Sequence, residues 1–195
     1  MGREAQIKRT TGETRVQVKL KLDGKGGFDG TTGIGFFDHM LHLLARHSLF
    51  DITVEASGDL HVDAHHTVED TGICLGMALE KALGDKVGIT RYGSAIIPMD
   101  EALALAAVDL SGRPYLAYEV DVNCERVGEL PVELVPEFFR ALVNNAGITL
   151  HLRLISGENA HHIIEAIFKA FARAVREAVM LNIRESGVPS TKGKL

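Results

Sequence analysis

The pattern His-His-x-x-Glu is written twice in 195 residues, as His65-His66-Thr67-Val68-Glu69 and as His161-His162-Ile163-Ile164-Glu165. A single copy is commonly no more than a solvated helix start. Two copies, each 13 residues downstream of the first residue of a strand-like segment, ITVEA from Ile52 and ITLHL from Ile148, point to internal duplication. The helices upstream also correspond, and there His39 falls close to Glu137. Duplication restricts the fold sharply. It predicts an α+β chain of two similar halves, each a small mixed β-sheet covered on one face by two helices. The halves are expected to span residues 1–92 and 93–195 and to share one core as a single compact unit.

Period reads most of the elements. TRVQVKLKLDG (14–24) alternates like a half-buried strand ending in a turn. GKGGFDGTTGIG (24–35) reads as a Gly-rich loop. FFDHMLHLLARHS (36–48) carries Met40, Leu41, Leu44 and Ala45 on one helical face. Strand DITVEAS follows, then a helix opened by the first His-His pair and closed by Gly84. The second half repeats the order. EALALAAVDL and RPYLAYEVDV read as strands, PEFFRALVNNAG (136–147) as a helix and ITLHLRLIS as a strand. The second His-His pair then opens HHIIEAIFKAFARAVREAV.

Three or four positions apart on a helix share a face, so Glu69 stands beside His65 or His66. Adjacent histidines diverge by about a quarter turn or slightly more, and His65 and His66 are not expected to hold one ion. Two metals, each taking one His from each copy, satisfy this geometry, with Glu69 and Glu165 divided between them. His39 and Glu137 are the natural additional ligands. The set is then His39, His65, His66, Glu69, Glu137, His161, His162 and Glu165, four per ion. Nitrogen and oxygen donors without thiolate suit Mn or Fe, with Zn compatible. His42 and His61 read as helix surface and strand end, while His47 and His151 stay undecided between lining and supporting roles. Arg91, Arg113, Lys169, Ser190, Thr191 and Lys192 are each an ordinary surface residue alone. Together they have the chemistry of a phosphate site.

Composition excludes several partners. With 46% hydrophobic and 24% charged residues and a net charge of −5, the chain reads as globular. No basic stripe suggests nucleic acid. No apolar run is long enough to span a membrane. Two lone cysteines, Cys74 and Cys124, with no signal-peptide pattern at the N-terminus, lead to an expectation of a reducing cytoplasm.

The segments GETRVQVKLKLDG, GFFDHMLHLLARHSLFDITVEASGDLHVDAHHTVEDTGICLG, DLSGRPYL, NAHHIIEAIFKAFARAVREA and PSTKGKL occur in that order over nearly the whole chain. In them the chain resembles the imidazoleglycerol-phosphate dehydratases of histidine biosynthesis. The resemblance implies dehydration of D-erythro-imidazole glycerol phosphate to imidazole acetol phosphate with two Mn²⁺ per active site. It also implies a 24-subunit shell built from trimers, with active sites between subunits. One ion would take His39, His66, His161 and Glu165; the other would take His65, Glu69, Glu137 and His162. Glu13, with Glu69 and Glu165 as further catalytic carboxylates, would face the substrate with His39 and His47. Arg91, Arg113, Lys169, Ser190, Thr191 and Lys192 would hold its phosphate. One departure concerns Glu137, where the resemblance leads to an expectation of His. A carboxylate there remains a competent ligand but adds negative charge.

The reaction so implied removes an unactivated C–H and a poor leaving group. Dimetal stabilisation of the substrate imidazolate would let the ring itself relay electrons, with Glu13 as the expected base. Two rivals fit the same residues: a dimetal phosphate-ester hydrolase, and a shell protein whose histidine clusters only join subunits.

Overall fold

Val16, Val18 and Leu20 are buried while Arg15, Lys19 and Lys21 face water, so strand β2 (Thr14–Lys21) shows one face to a core. The computed structural model describes residues 2–195. In the first half β1 (Glu4–Thr10), β2, β3 (Phe28–Thr31) and β4 (Asp51–Gly58) form a sheet in the order β1-β2-β4-β3. Only the β3–β4 pairing is parallel. In the second half β5 (Tyr92–Met99), β6 (Ala102–Asp109), β7 (Tyr115–Glu119) and β10 (Thr149–Ser156) form a sheet in the order β5-β6-β10-β7. Here too the last pair, β10–β7, is the parallel one. The two mixed sheets have one topology, and neither borrows a strand from the other.

Helices α1 (Gly35–Ser48) and α2 (His65–Leu83) cover the first sheet. Helices α3 (Leu134–Ala146) and α4 (Ala160–Val179) cover the second. The helices meet as α1 with α4 and α2 with α3, so the halves share one buried cluster. Phe37, Phe138, Phe139, Phe168 and Phe171 lie at its centre. Close approach is secured by small residues. A Cβ on Gly72 would stand 2.7 Å from the carbonyl oxygen of Phe138, and one on Gly76 would stand 2.5 Å from that of Leu142. Helix α4 rides on β5 so closely that a Cβ on Gly93 would lie 2.0 Å from the Ala174 carbonyl oxygen.

The hairpin registers superpose at an offset of 88 residues: Thr10 pairs with Arg15 as Pro98 pairs with Leu103. The parallel pair Phe28–Ile52 matches Leu116–Leu150. The left-handed residues closing α1 and α3, Leu49 and Gly147, lie 98 apart, as do His39 and Glu137. The ten extra residues lie in the β7–α3 connection, which holds the hairpin of β8 (Arg126–Val127) and β9 (Leu130–Pro131).

Several expectations need correction. Phe28–Thr31, expected as loop, is an edge strand, because β4 supplies the partner that a Gly-rich segment cannot advertise. Strands β1 and β5 are additional. Helix α3 starts at Leu134, two residues before Pro136. By register Ile52 corresponds to Leu150, not to Ile148, because the connection from strand to His-His helix is two residues shorter in the second half.

Candidate metal centre

Both His-His pairs sit in the first turn of a helix. In α4 the Asn159 side chain accepts from the backbone N–H of His161 (2.9 Å) and His162 (3.3 Å). In α2 the Asp63 carboxylate accepts from the N–H of His65 (2.8 Å). The ring planes of each pair cross at 83°, with centroids 5.9 Å apart in the first pair and 6.1 Å apart in the second.

His39 on α1 meets His161 and Glu165 on α4. One ligand atom from each lies within 4.8 Å of the other two, the one such group among the described residues. Glu165 has 9% of its side chain exposed and accepts a 2.6 Å ion pair from Lys169, with His161 Nε2 at 3.4 Å from its other oxygen. Burial opposes its ionisation, but Lys169, His39 and His161 outweigh that and hold its carboxyl below the usual range. Burial pushes the His39 imidazole down, helped by His161, His42 and Lys169, against the pull of Glu165. A neutral imidazole beside an ionised carboxylate is the protonation state that binds a cation.

The repeat-related trio, Glu137 with His65 and Glu69, stands on α3 and α2, which pack as α1 and α4 do. Its donors do not converge: Glu137 pairs with Arg140 one turn along its own helix. His65 instead lines a cavity of about 630 Å³ with Tyr118, Cys124, Glu133 and Pro136.

The second histidine of each pair belongs to neither trio. His66 Nδ1 lies 3.0 Å from Asp59, and Glu13 reaches within 3.7 Å of its Nε2. His162 Nδ1 lies 2.8 Å from Glu101. These carboxylates raise both imidazoles above their ordinary value. His162 and the backbone N–H of Asn159 bring Glu101 down to about 2.

The expected phosphate residues fall into two groups. Arg91 forks onto Asp109 (2.8 and 3.2 Å) and donates to the Pro189 carbonyl at 2.8 Å, which puts it beside Ser190, Thr191 and Lys192. Arg113 lies 3.9 Å from the same Asp109, with 71% of its side chain exposed. Lys169 belongs elsewhere, on Glu165 and 3.3 Å from Met99 Sδ at the far end of β5. Strand rise separates Arg91 from Met99 by about 26 Å. His47 shares the electrostatics of Lys169 and is pushed down by burial, then by Lys169 and Arg173. His42 stacks on Phe28, and His151 lies beside Tyr115 on the second sheet.

Residue types alone did not reveal Asp59, Glu101 or Asp109. For Glu101 a signal exists, since it is Glu13 displaced by 88 residues, but only strand register exposes it.

The family model for imidazoleglycerol-phosphate dehydratase matches residues 32–175. A relative of that name from Moorella thermoacetica is 60% identical over 195 residues, covering 100% of both chains. Another, from Heliobacterium modesticaldum, is 61% identical over 194 residues, covering 99% of this chain and 100% of its own. The solved imidazoleglycerol-phosphate dehydratase of Staphylococcus aureus superposes with a TM-score of 0.84 at 44% identity, covering 92% of this chain and 99% of that one. The structure from Pyrococcus furiosus gives 0.82 at 39%, covering 97% and 100%. A duplicated fold with His-His helices in both halves and full-length likeness to these proteins makes the chain a member of the imidazoleglycerol-phosphate dehydratase family.

Proposed function

We propose that the protein converts D-erythro-imidazole glycerol phosphate to imidazole acetol phosphate in histidine biosynthesis, using two Mn²⁺ per active site. The observation that carries this is the convergence of His39, His161 and Glu165, two imidazoles and a carboxylate without thiolate, in a member of this family. These three with His66 would hold one ion, and His65, Glu69, Glu137 and His162 the other. Bound there, the metals supply Lewis acidity that favours the imidazolate form of the substrate ring.

The side chains of the chain do the rest. Lys169 balances the charge of Glu165 and keeps that carboxylate ionised in a buried setting. Glu13, 56% exposed and 3.7 Å from His66 Nε2, would take the proton from the carbon adjacent to the one that loses its hydroxyl. Arg91, Arg113, Ser190, Thr191 and Lys192 hold the phosphate from one edge. Lys169, His39 and His47 meet the substrate from another.

Those two groups lie too far apart in one chain to serve one small molecule. This supports a homo-oligomer with sites between subunits, and we extend the proposal to the 24-subunit shell. Tyr92, Ile96 and Tyr115 on the second sheet are each more than half exposed, which fits burial between copies. No helix among the described residues is long and apolar enough to cross a membrane. Two free thiols, Cys74 and Cys124, fit a cytoplasmic setting.

The test is turnover of imidazoleglycerol phosphate by Mn²⁺-loaded protein, followed by the ultraviolet signal of the ketone product. Activity is expected to vanish on chelation and return with Mn²⁺. Release of inorganic phosphate, or two bound Mn²⁺ without turnover, would overturn the proposal. Arg113→Ala is expected to raise KM by about 10–100-fold, the worth of one or two charged hydrogen bonds. Steady-state kinetics checks this, and an unchanged KM removes Arg113 from the phosphate site.

A further inference from the structure

Two histidines that the proposed function assigns to metal are held from behind by carboxylates that are not each other's repeat partners. In the first half Asp59 faces His66 Nδ1 through both oxygens, at 3.0 and 3.2 Å. In the second half Glu101 faces His162 Nδ1 at 2.8 Å. The counterpart of Glu101 at the 88-residue offset is Glu13. Glu13 does not touch His66 Nδ1 at all; it approaches the other nitrogen, Nε2, at 3.7 Å.

Loop length explains the exchange. Six residues, 59–64, link β4 to His65, whereas four, 157–160, link β10 to His161. The shorter link has no acid where Asp59 stands, and Gly157 begins it. The turn glutamate of the β5–β6 hairpin reaches across instead, anchored by the backbone N–H groups of Asn159 (2.8 Å) and Glu158 (3.3 Å). One arrangement, a carboxylate on Nδ1, thus arises twice from non-equivalent residues. Inherited symmetry does not account for that.

We infer that Asp59 and Glu101 are positioning residues which orient His66 and His162 with Nε2 turned outward as a donor, and that Asp59, by taking this task in the first half, releases Glu13 for the substrate. A carboxylate on Nδ1 fixes the tautomer with the proton there and leaves the Nε2 lone pair free. Its charge also makes that lone pair more basic. Glu13 and Glu101 therefore descend from one position but have diverged in task. The inference rests on the proposed metal set.

The experiment measures Mn²⁺ affinity of the full assembled protein by the paramagnetic resonance of free Mn²⁺, with melting temperature recorded alongside. Asp59→Ala and Glu101→Ala are each expected to weaken one of the two Mn²⁺ per chain by about 10–100-fold. Asp59→Asn and Glu101→Gln keep an oxygen that accepts from Nδ1 and should recover most of that loss. Normal affinity for both ions in the alanine variants overturns the inference, as does a lowered melting temperature with unchanged affinity, the mark of a merely structural clamp. Glu101 also braces α4, so failure of Glu101→Ala to assemble leaves the decision to Asp59→Ala. Among the described residues the Asp59 side chain bonds only His66. Wild-type protein that binds two Mn²⁺ without turnover defeats the proposed function alone. Wild-type turnover with unaffected alanine variants defeats only this inference.

Discussion

Glu13→Gln is expected to lower kcat by about 10²–10⁴-fold, the usual worth of a positioned general base. The substitution keeps shape and removes only basicity. The turn that carries it is rigid: Thr11 Oγ1 accepts from the N–H of Glu13 at 3.1 Å and of Thr14 at 2.9 Å. The Thr14 hydroxyl donates to buried Asp70, which Arg9 holds at 2.7 Å. The glutamine is therefore presented where the glutamate was, and Mn²⁺ affinity and KM should move little. Steady-state kinetics with a metal titration separates these quantities. Near-normal kcat would show that the proton goes elsewhere, and a collapse of Mn²⁺ binding would make Glu13 a ligand rather than a base.

Phe168→Ala is expected to cost about 3–5 kcal/mol, the range for deleting a buried aromatic ring. The ring is fully buried, stacked on Phe138 at 5.5 Å and tilted against Phe139 at 5.0 Å. Those neighbours continue to Phe37 on α1 and Phe171 on α4. The cavity would thus open where both halves share packing, with little freedom to collapse around it. For a chain of this length the loss corresponds to about 10 °C in melting temperature, read by calorimetry. Because α4 also carries His161 and Glu165, Mn²⁺ should protect the variant less than the wild type. A shift under about 2 °C would mean the helices repack without the ring.

Legibility followed burial and period. Strands β2, β4, β6 and β10 and helices α1, α2 and α4 each show a strong apolar repeat, and all were readable. β1 and β3 are edge strands with mostly exposed residues, while β5 contains Gly93 and Pro98. Their hydrogen bonds are made to a partner strand, and nothing local records that partner. In the candidate site the recurrence of His-His-x-x-Glu at two helix starts was readable from the sequence. The clamps on His66 and His162, the seat of Lys169 on Glu165 and the Asp109 between two arginines were not.

The bare chain determined that there are two copies of one unit and that imidazole and carboxylate recur at helix starts. The first is carried by a motif that recurs 96 residues further on, from His65 to His161, and the second by the local pattern around each copy; both survive in a string of residues. The tertiary structure decided that α1 lies on α4, so that His39 finds His161 and Glu165, and that Lys169 stands about 26 Å of strand away from Arg91. It also decided which acid backs each histidine, because a two-residue difference in loop length changes what can reach Nδ1. Such pairings depend on how whole surfaces are buried against one another, and no local pattern encodes them.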